Sequence, residues 1–130
     1  MPEKRDWGVI LPGVKIITLC AVRTKGEIII VTLPVSLDHV AAMTLENELR
    51  ECVARKPRAL LCDLSGTRFL SSSGLRVLLV IGKLAKVAGI RFGLFSLTKF
   101  VDHIFSMAGF TRLFAIYDTE DAAVRAVAKQ

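Results

Sequence analysis

Asp63-Leu64-Ser65-Gly66-Thr67-Arg68-Phe69-Leu70-Ser71-Ser72-Ser73-Gly74-Leu75 contains a strand end, a turn and a helix start in quick succession. The run entering it, Ala59-Leu60-Leu61-Cys62, is apolar without alternation, as expected of a strand whose two sheet faces are both covered. Ser65-Gly66-Thr67-Arg68 has turn composition. A helix then begins among Ser71, Ser72 and Ser73 and runs to about Val87, where Gly89 stands in position to end it in a left-handed cap. A buried strand passing through a loop into an amphipathic helix is the unit of an α/β fold.

Outward from this segment the same alternation continues. Downstream, Ile90 to Leu97 reads as a strand, and Thr98 to Ala108 as a helix through Phe100, Val101, Ile104 and Phe105 with Gly109 as its stop. Phe114 to Tyr117 is short and strand-like. Thr119-Glu120-Asp121 opens a last helix with acidic residues in its first turn and Lys129 near its end, the order the helix dipole favours. Upstream, Asp38 is placed to cap a helix carrying Ala41, Leu45, Leu49, Cys52 and Val53 at three- and four-residue spacing, closed by Pro57. Lys15 to Val22 and Glu27 to Leu33 read as a hairpin turning at Arg23-Thr24-Lys25-Gly26. Residues 1–13 have no period and read as a tail or short leading element, leaving 14–130 as one domain. The expectation is a single α/β domain with a mixed four- to five-stranded sheet backed by about four helices.

Composition narrows the function. Half of the 130 residues are apolar (52%) and 23% are charged, as in compact globular domains. Eighteen basic against twelve acidic residues give a net charge of +6. The cations are scattered between apolar runs, and Trp7 and Tyr117 offer little stacking surface, so a nucleic-acid site is not expected. No stretch approaches the roughly 18 uninterrupted apolar residues of a membrane span. Cys20, Cys52 and Cys62 lie in apolar patterns without metal spacing, which implies a reducing, cytoplasmic setting and no metal or cofactor.

Two features of the central segment bear on function. A serine at a helix start is either a plain cap or a place where an anion is stabilised by free backbone N–H groups and the dipole. In the following helix Arg76, Lys83 and Lys86 share a face with Val80 and Val87. Such a stripe is either flanked by neighbouring elements or prepared to meet a partner.

From Gly26 to Ala128 the sequence resembles the STAS domain family of bacterial anti-sigma factor antagonists. The resemblance rests on Gly26-Glu27-Ile28-Ile29-Ile30-Val31, Leu37-Asp38, Asp63-Leu64-Ser65-Gly66, Phe69-Leu70, Ser72-Ser73-Gly74-Leu75 and Ala108-Gly109-Phe110-Thr111-Arg112-Leu113-Phe114. It implies a non-catalytic regulator that binds an anti-sigma factor which is also a serine kinase, and that is released when the kinase phosphorylates Ser72, with Ser73 as the alternative acceptor. A phosphatase would reverse the step. Asp38, Ser71, Ser72, Ser73, Gly74, Leu75, Arg76, Val80, Lys83 and Val87 are the implied partner-binding residues. The family commonly has Asp where this chain has Ser71. A second reading within the family is a constitutive adaptor subunit of a sensory complex or a lipid-transport ATPase, without a phosphate switch. Other chemistry has little footing: His39 and His103 lack metal partners, Gly82-Lys83 lacks the rest of a P-loop, and Asp63 reads as a loop-capping carboxylate. A serine hydrolase would need a histidine at Ser72, for which His39 is the one candidate.

Overall fold

A computed structural model describes residues 9–11, 14–15 and 20–129. In chain order the first elements are β1 (Val9–Leu11), β2 (Val14–Lys15), β3 (Ala21–Lys25), β4 (Ile28–Thr32), β5 (Ser36–Leu37) and α1 (His39–Ala54). They are followed by β6 (Ala59–Asp63), β7 (Phe69–Leu70), α2 (Ser72–Val87), β8 (Arg91–Phe95), α3 (Lys99–Met107), β9 (Ala115–Tyr117) and α4 (Glu120–Ala128). The main sheet has five strands in the order β3-β4-β6-β8-β9. Within it β3 lies antiparallel to β4, and the other three pairs are parallel.

The unbroken apolar strands follow from helices on both faces. Ile29 and Val31 of β4 and Leu60 and Cys62 of β6 point into a core shared with α1, α2 and α3. Ile28, Ile30, Ala59 and Leu61 point the other way, beneath Ala123 and Val127 of α4. With a side-chain period of two, a strand covered on both faces must be apolar at every position. The mixed five-stranded α/β domain with four helices is the architecture expected from the sequence.

Three local differences have physical reasons. The strand expected over residues 15–22 falls partly outside the described residues, and β3 begins at Ala21 and extends to Lys25, opposite Ile28. The turn is therefore only Gly26-Glu27, which the left-handed Gly26 (φ +63°) makes possible. Helix α1 stops at Ala54, because Lys56 takes a left-handed conformation (φ +55°) ahead of Pro57. β5 and β7 form a two-residue parallel pair, Ser36 opposite Phe69 and Leu37 opposite Leu70, which no periodicity marks. That small pair positions the site.

Candidate functional site

β5 leads into α1 and β7 leads into α2, so the parallel pairing brings two helix starts side by side. Each is capped by its own side chain. Asp38 Oδ1 accepts from Ala41 N at 2.8 Å, and Ser71 Oγ accepts from Gly74 N at 3.1 Å. Ser71 also ties the two halves together: its hydroxyl donates to the Leu37 carbonyl at 2.9 Å, and its amide donates to the same oxygen at 3.0 Å. Gly74 lets α2 settle on this strand pair. A Cβ there would stand 2.9 Å from Leu37 Cδ2 and 3.0 Å from Leu70 Cδ1. Gly74 and Leu75, which the resemblance places among the partner-binding residues, are buried beneath this surface. Leu75 joins the core on the α1–α3 side of the sheet.

The three serines consequently differ. Ser71 is the cap, half-buried and bonded on both sides. Ser72 is the first residue of α2 and exposed, and its hydroxyl makes no hydrogen bond among the described residues. Ser73 is half-buried, with Oγ 2.8 Å from Nδ1 of His39. The histidine raised as a partner for Ser72 thus reaches Ser73, and the Asp38 carboxylate beside it is spent on its own cap. Among the described residues no carboxylate bonds to His39, so the arrangement of a nucleophile, a base and an orienting acid is incomplete.

Further along α2, Arg76 lies 3.6 Å from Glu46 of α1, a carboxylate that also accepts from Arg50 at 2.9 Å. Val80 is half-buried behind Arg76, whereas Lys83 is exposed and Val87 is 88% exposed. The sequence-derived stripe is therefore real but divided. Arg76 at its start is tied to α1, whereas Lys83 and Val87 near its end are exposed.

Sequence reasoning missed an apolar rim formed by exposed side chains beside the β5–β7 pair and in the first turn of α3. Val35, Phe69 and Phe100 are 63%, 45% and 53% exposed. The Val35 carbonyl receives the amides of Arg68 and Phe69 at 2.7 and 3.2 Å. Phe100 follows the cap of α3, where Thr98 Oγ1 donates to the Thr67 carbonyl at 2.9 Å. Thr67, read as turn chemistry, is fully buried and donates to the Pro34 carbonyl at 2.9 Å, pinning the loop that carries Phe69. Only one signal was available in advance: with Leu70 turned inward, a strand partner such as Phe69 must turn outward. Asp63 does cap its loop, accepting from Ser65 N at 2.9 Å.

Cys20, Cys52 and Cys62 are free and buried. Burial pushes the Cys20 and Cys62 thiols far above their ordinary range, and raises Cys52 to about 12. They behave as core hydrophobes. Among the described residues no group of His, Cys, Asp and Glu is arranged to hold a metal ion, and no helix is long and apolar enough to cross a membrane.

Fold and site together define a small α/β domain that presents one unbonded serine where two capped helices begin. The chain belongs to the STAS domain family, which matches it over residues 20–123. It is 32% identical over 85 residues to BtrV of Bordetella bronchiseptica, a protein assigned as an anti-sigma factor antagonist, covering 65% of this chain and 73% of that one. The crystal structure of an anti-sigma factor antagonist from Mycobacterium paratuberculosis superposes with a TM-score of 0.76 at 31% identity, over 85% of this chain and 93% of that one. A Thermotoga maritima protein assigned to the same class shares the fold, with a TM-score of 0.78 at 21% identity over 85% and 95% of the two chains.

Proposed function

We propose that this protein is an anti-sigma factor antagonist that works by binding, not catalysis, and that phosphorylation of Ser72 by its anti-sigma factor kinase releases it. The observation that carries the reading is the state of the Ser72 hydroxyl: exposed, unbonded, and on the first residue of a helix. A kinase needs an accessible acceptor, and Ser71 and Ser73 are held by other bonds. The docking surface consists of Asp38, Ser72 and Ser73, the apolar rim of Val35, Phe69 and Phe100, and the α2 stripe of Arg76, Val80, Lys83 and Val87. Ser71, Gly74 and Leu75 support it from below.

A phosphate on Ser72 costs the free protein little. It sits at the positive end of α2, where the amides of the first turn lack intrahelical acceptors. One turn along stands Arg76, held to Glu46 at 3.6 Å, a distance that leaves it able to turn toward a dianion. In the complex the same charge lies at the centre of a desolvated interface, where it opposes binding. A phosphatase acting on phosphorylated Ser72 would restore the binding form.

The test is reconstitution with the kinase-type anti-sigma factor and magnesium ATP. Phosphate is expected on Ser72 alone, retained in Ser73→Ala and absent in Ser72→Ala. Ser72→Asp should weaken the complex at least tenfold, while Ser72→Ala binds as the parent does. Binding that is indifferent to both substitutions would instead describe a constitutive adaptor.

A further inference from the structure

The far end of α2 carries a cleft of about 390 Å³ whose walls include Gly82, Lys83, Lys86, Phe92, Leu113 and Phe114. Its volume lies within the roughly 300–1,000 Å³ of small-molecule sites. Lys86 is fourteen residues beyond Ser72, which at about 1.5 Å per residue separates the cleft from the serine by about 21 Å. The aromatic wall is held in place from behind: Phe114 packs against Phe105 and Phe110 with ring centroids 5.4 and 6.5 Å apart. Lys83 and Lys86, one turn apart, border the opening and make no ion pair among the described residues.

Gly82 stands in mid-helix on the wall of this cleft. A glycine inside a helix weakens it relative to alanine. At Gly74 the fold demands that, because a Cβ would run into Leu37. At Gly82 it does not: a Cβ would meet the Phe92 ring at 3.4 Å and no other side chain within 4 Å, and the backbone is not left-handed. A side chain at this position would stand against the Phe92 ring on the wall of the cleft.

We infer that this cleft binds a small amphiphilic carboxylate, its apolar body against Phe92 and Phe114 and its anionic group between Lys83 and Lys86. Two unpaired cations at the mouth of an apolar cleft favour an anion over a neutral or cationic ligand of the same shape. Such a ligand would share Lys83 with the docking stripe of α2, and would be a second input to the molecule, made at the end of the helix far from Ser72.

The experiment titrates the full chain with sodium decanoate, followed by calorimetry and by amide chemical shifts. Binding with a dissociation constant below about 1 mM is expected, with shifts at Gly82, Lys86 and Phe92 and none at Ser72. Decanol should bind at least tenfold more weakly and decyltrimethylammonium not at all. Lys86→Glu should weaken decanoate binding at least tenfold. Gly82→Ala should do likewise while raising the melting temperature by about 3–5 °C, since helix propensity is regained. That opposition separates a ligand site from a packing defect. Absence of binding, equal affinity for decanol, or unchanged affinity in folded Lys86→Glu and Gly82→Ala would overturn the assignment. Capture of an acidic apolar peptide but not decanoate would also overturn it, and would make the cleft a protein-binding groove. The result is independent of whether Ser72 is phosphorylated.

Discussion

Replacing Ser71 tests how the two helix starts are joined. Its hydroxyl does two jobs at once, accepting from Gly74 N at 3.1 Å and donating to the Leu37 carbonyl at 2.9 Å. Ser71→Ala removes both. Loss of an N-cap costs about 1 kcal/mol, and loss of the bond to Leu37 costs about 1 kcal/mol more. The Leu37 oxygen keeps the Ser71 amide at 3.0 Å, so no buried acceptor is orphaned and the larger penalty for an unsatisfied group does not apply. The total is about 2 kcal/mol; with a urea m-value of about 2 kcal/mol/M, the unfolding midpoint falls by about 1 M. Ser71→Asp separates the two jobs. A carboxylate caps well and suits the positive end of α2, but it has no proton to give to Leu37. Its expected loss is about half as large, about 1 kcal/mol. Urea melts of the three proteins at pH 7, with m held constant, decide the matter. If both variants lie within about 0.5 kcal/mol of the parent, Ser71 does not bridge the strands. If Ser71→Asp is as damaged as Ser71→Ala, the cap is not what matters.

Other outcomes follow from the same geometry. Gly74→Ala should destabilise by about 1–2 kcal/mol in urea melts, because the overlap with Leu37 outweighs the gain in helix propensity. Glu120 accepts from Arg23 at 2.9 and 2.7 Å and from Lys25 at 3.3 Å. The hydrogen bond from Arg23 leads in lowering its carboxyl to about 2 from an ordinary 4.5. A depressed folded-state pKa gives stability that is complete above about 4.5 and lost as pH falls toward 2, so Glu120→Gln should flatten the pH dependence of the melting temperature in that window. Iodoacetamide at pH 8 should leave Cys20, Cys52 and Cys62 unlabelled in the native protein and label all three in guanidinium, as read by mass spectrometry; fast native labelling of any of them would contradict its burial.

Much of this domain was already written in local pattern. Continuous apolar runs announced strands covered on both faces, three- and four-residue spacing announced the helices, and Asp38, Thr98 and Thr119 announced three of their starts. These signals are local because hydrogen bonds within one turn and burial of one face act over a few residues. The sequence also placed a helix start among Ser71, Ser72 and Ser73. Local pattern did not distinguish the three; the family resemblance singled out Ser72, and the tertiary structure supplied the physical difference between them. Ser71 becomes the cap and tie because Leu37, distant in sequence, lies beside Leu70 in the β5–β7 pair. Ser73 meets His39 because that pairing sets α1 alongside α2, and Ser72 is left with its hydroxyl unbonded. A two-residue strand has no period to read, and its partner is fixed by the crossing of chain segments more than thirty residues apart. The exposed rim of Val35, Phe69 and Phe100, and the cleft opened by Gly82, belong to the same class. Periodicity tells which residues leave the solvent within one element; which surfaces then meet, and which side chains are left over, is decided only when the elements pack.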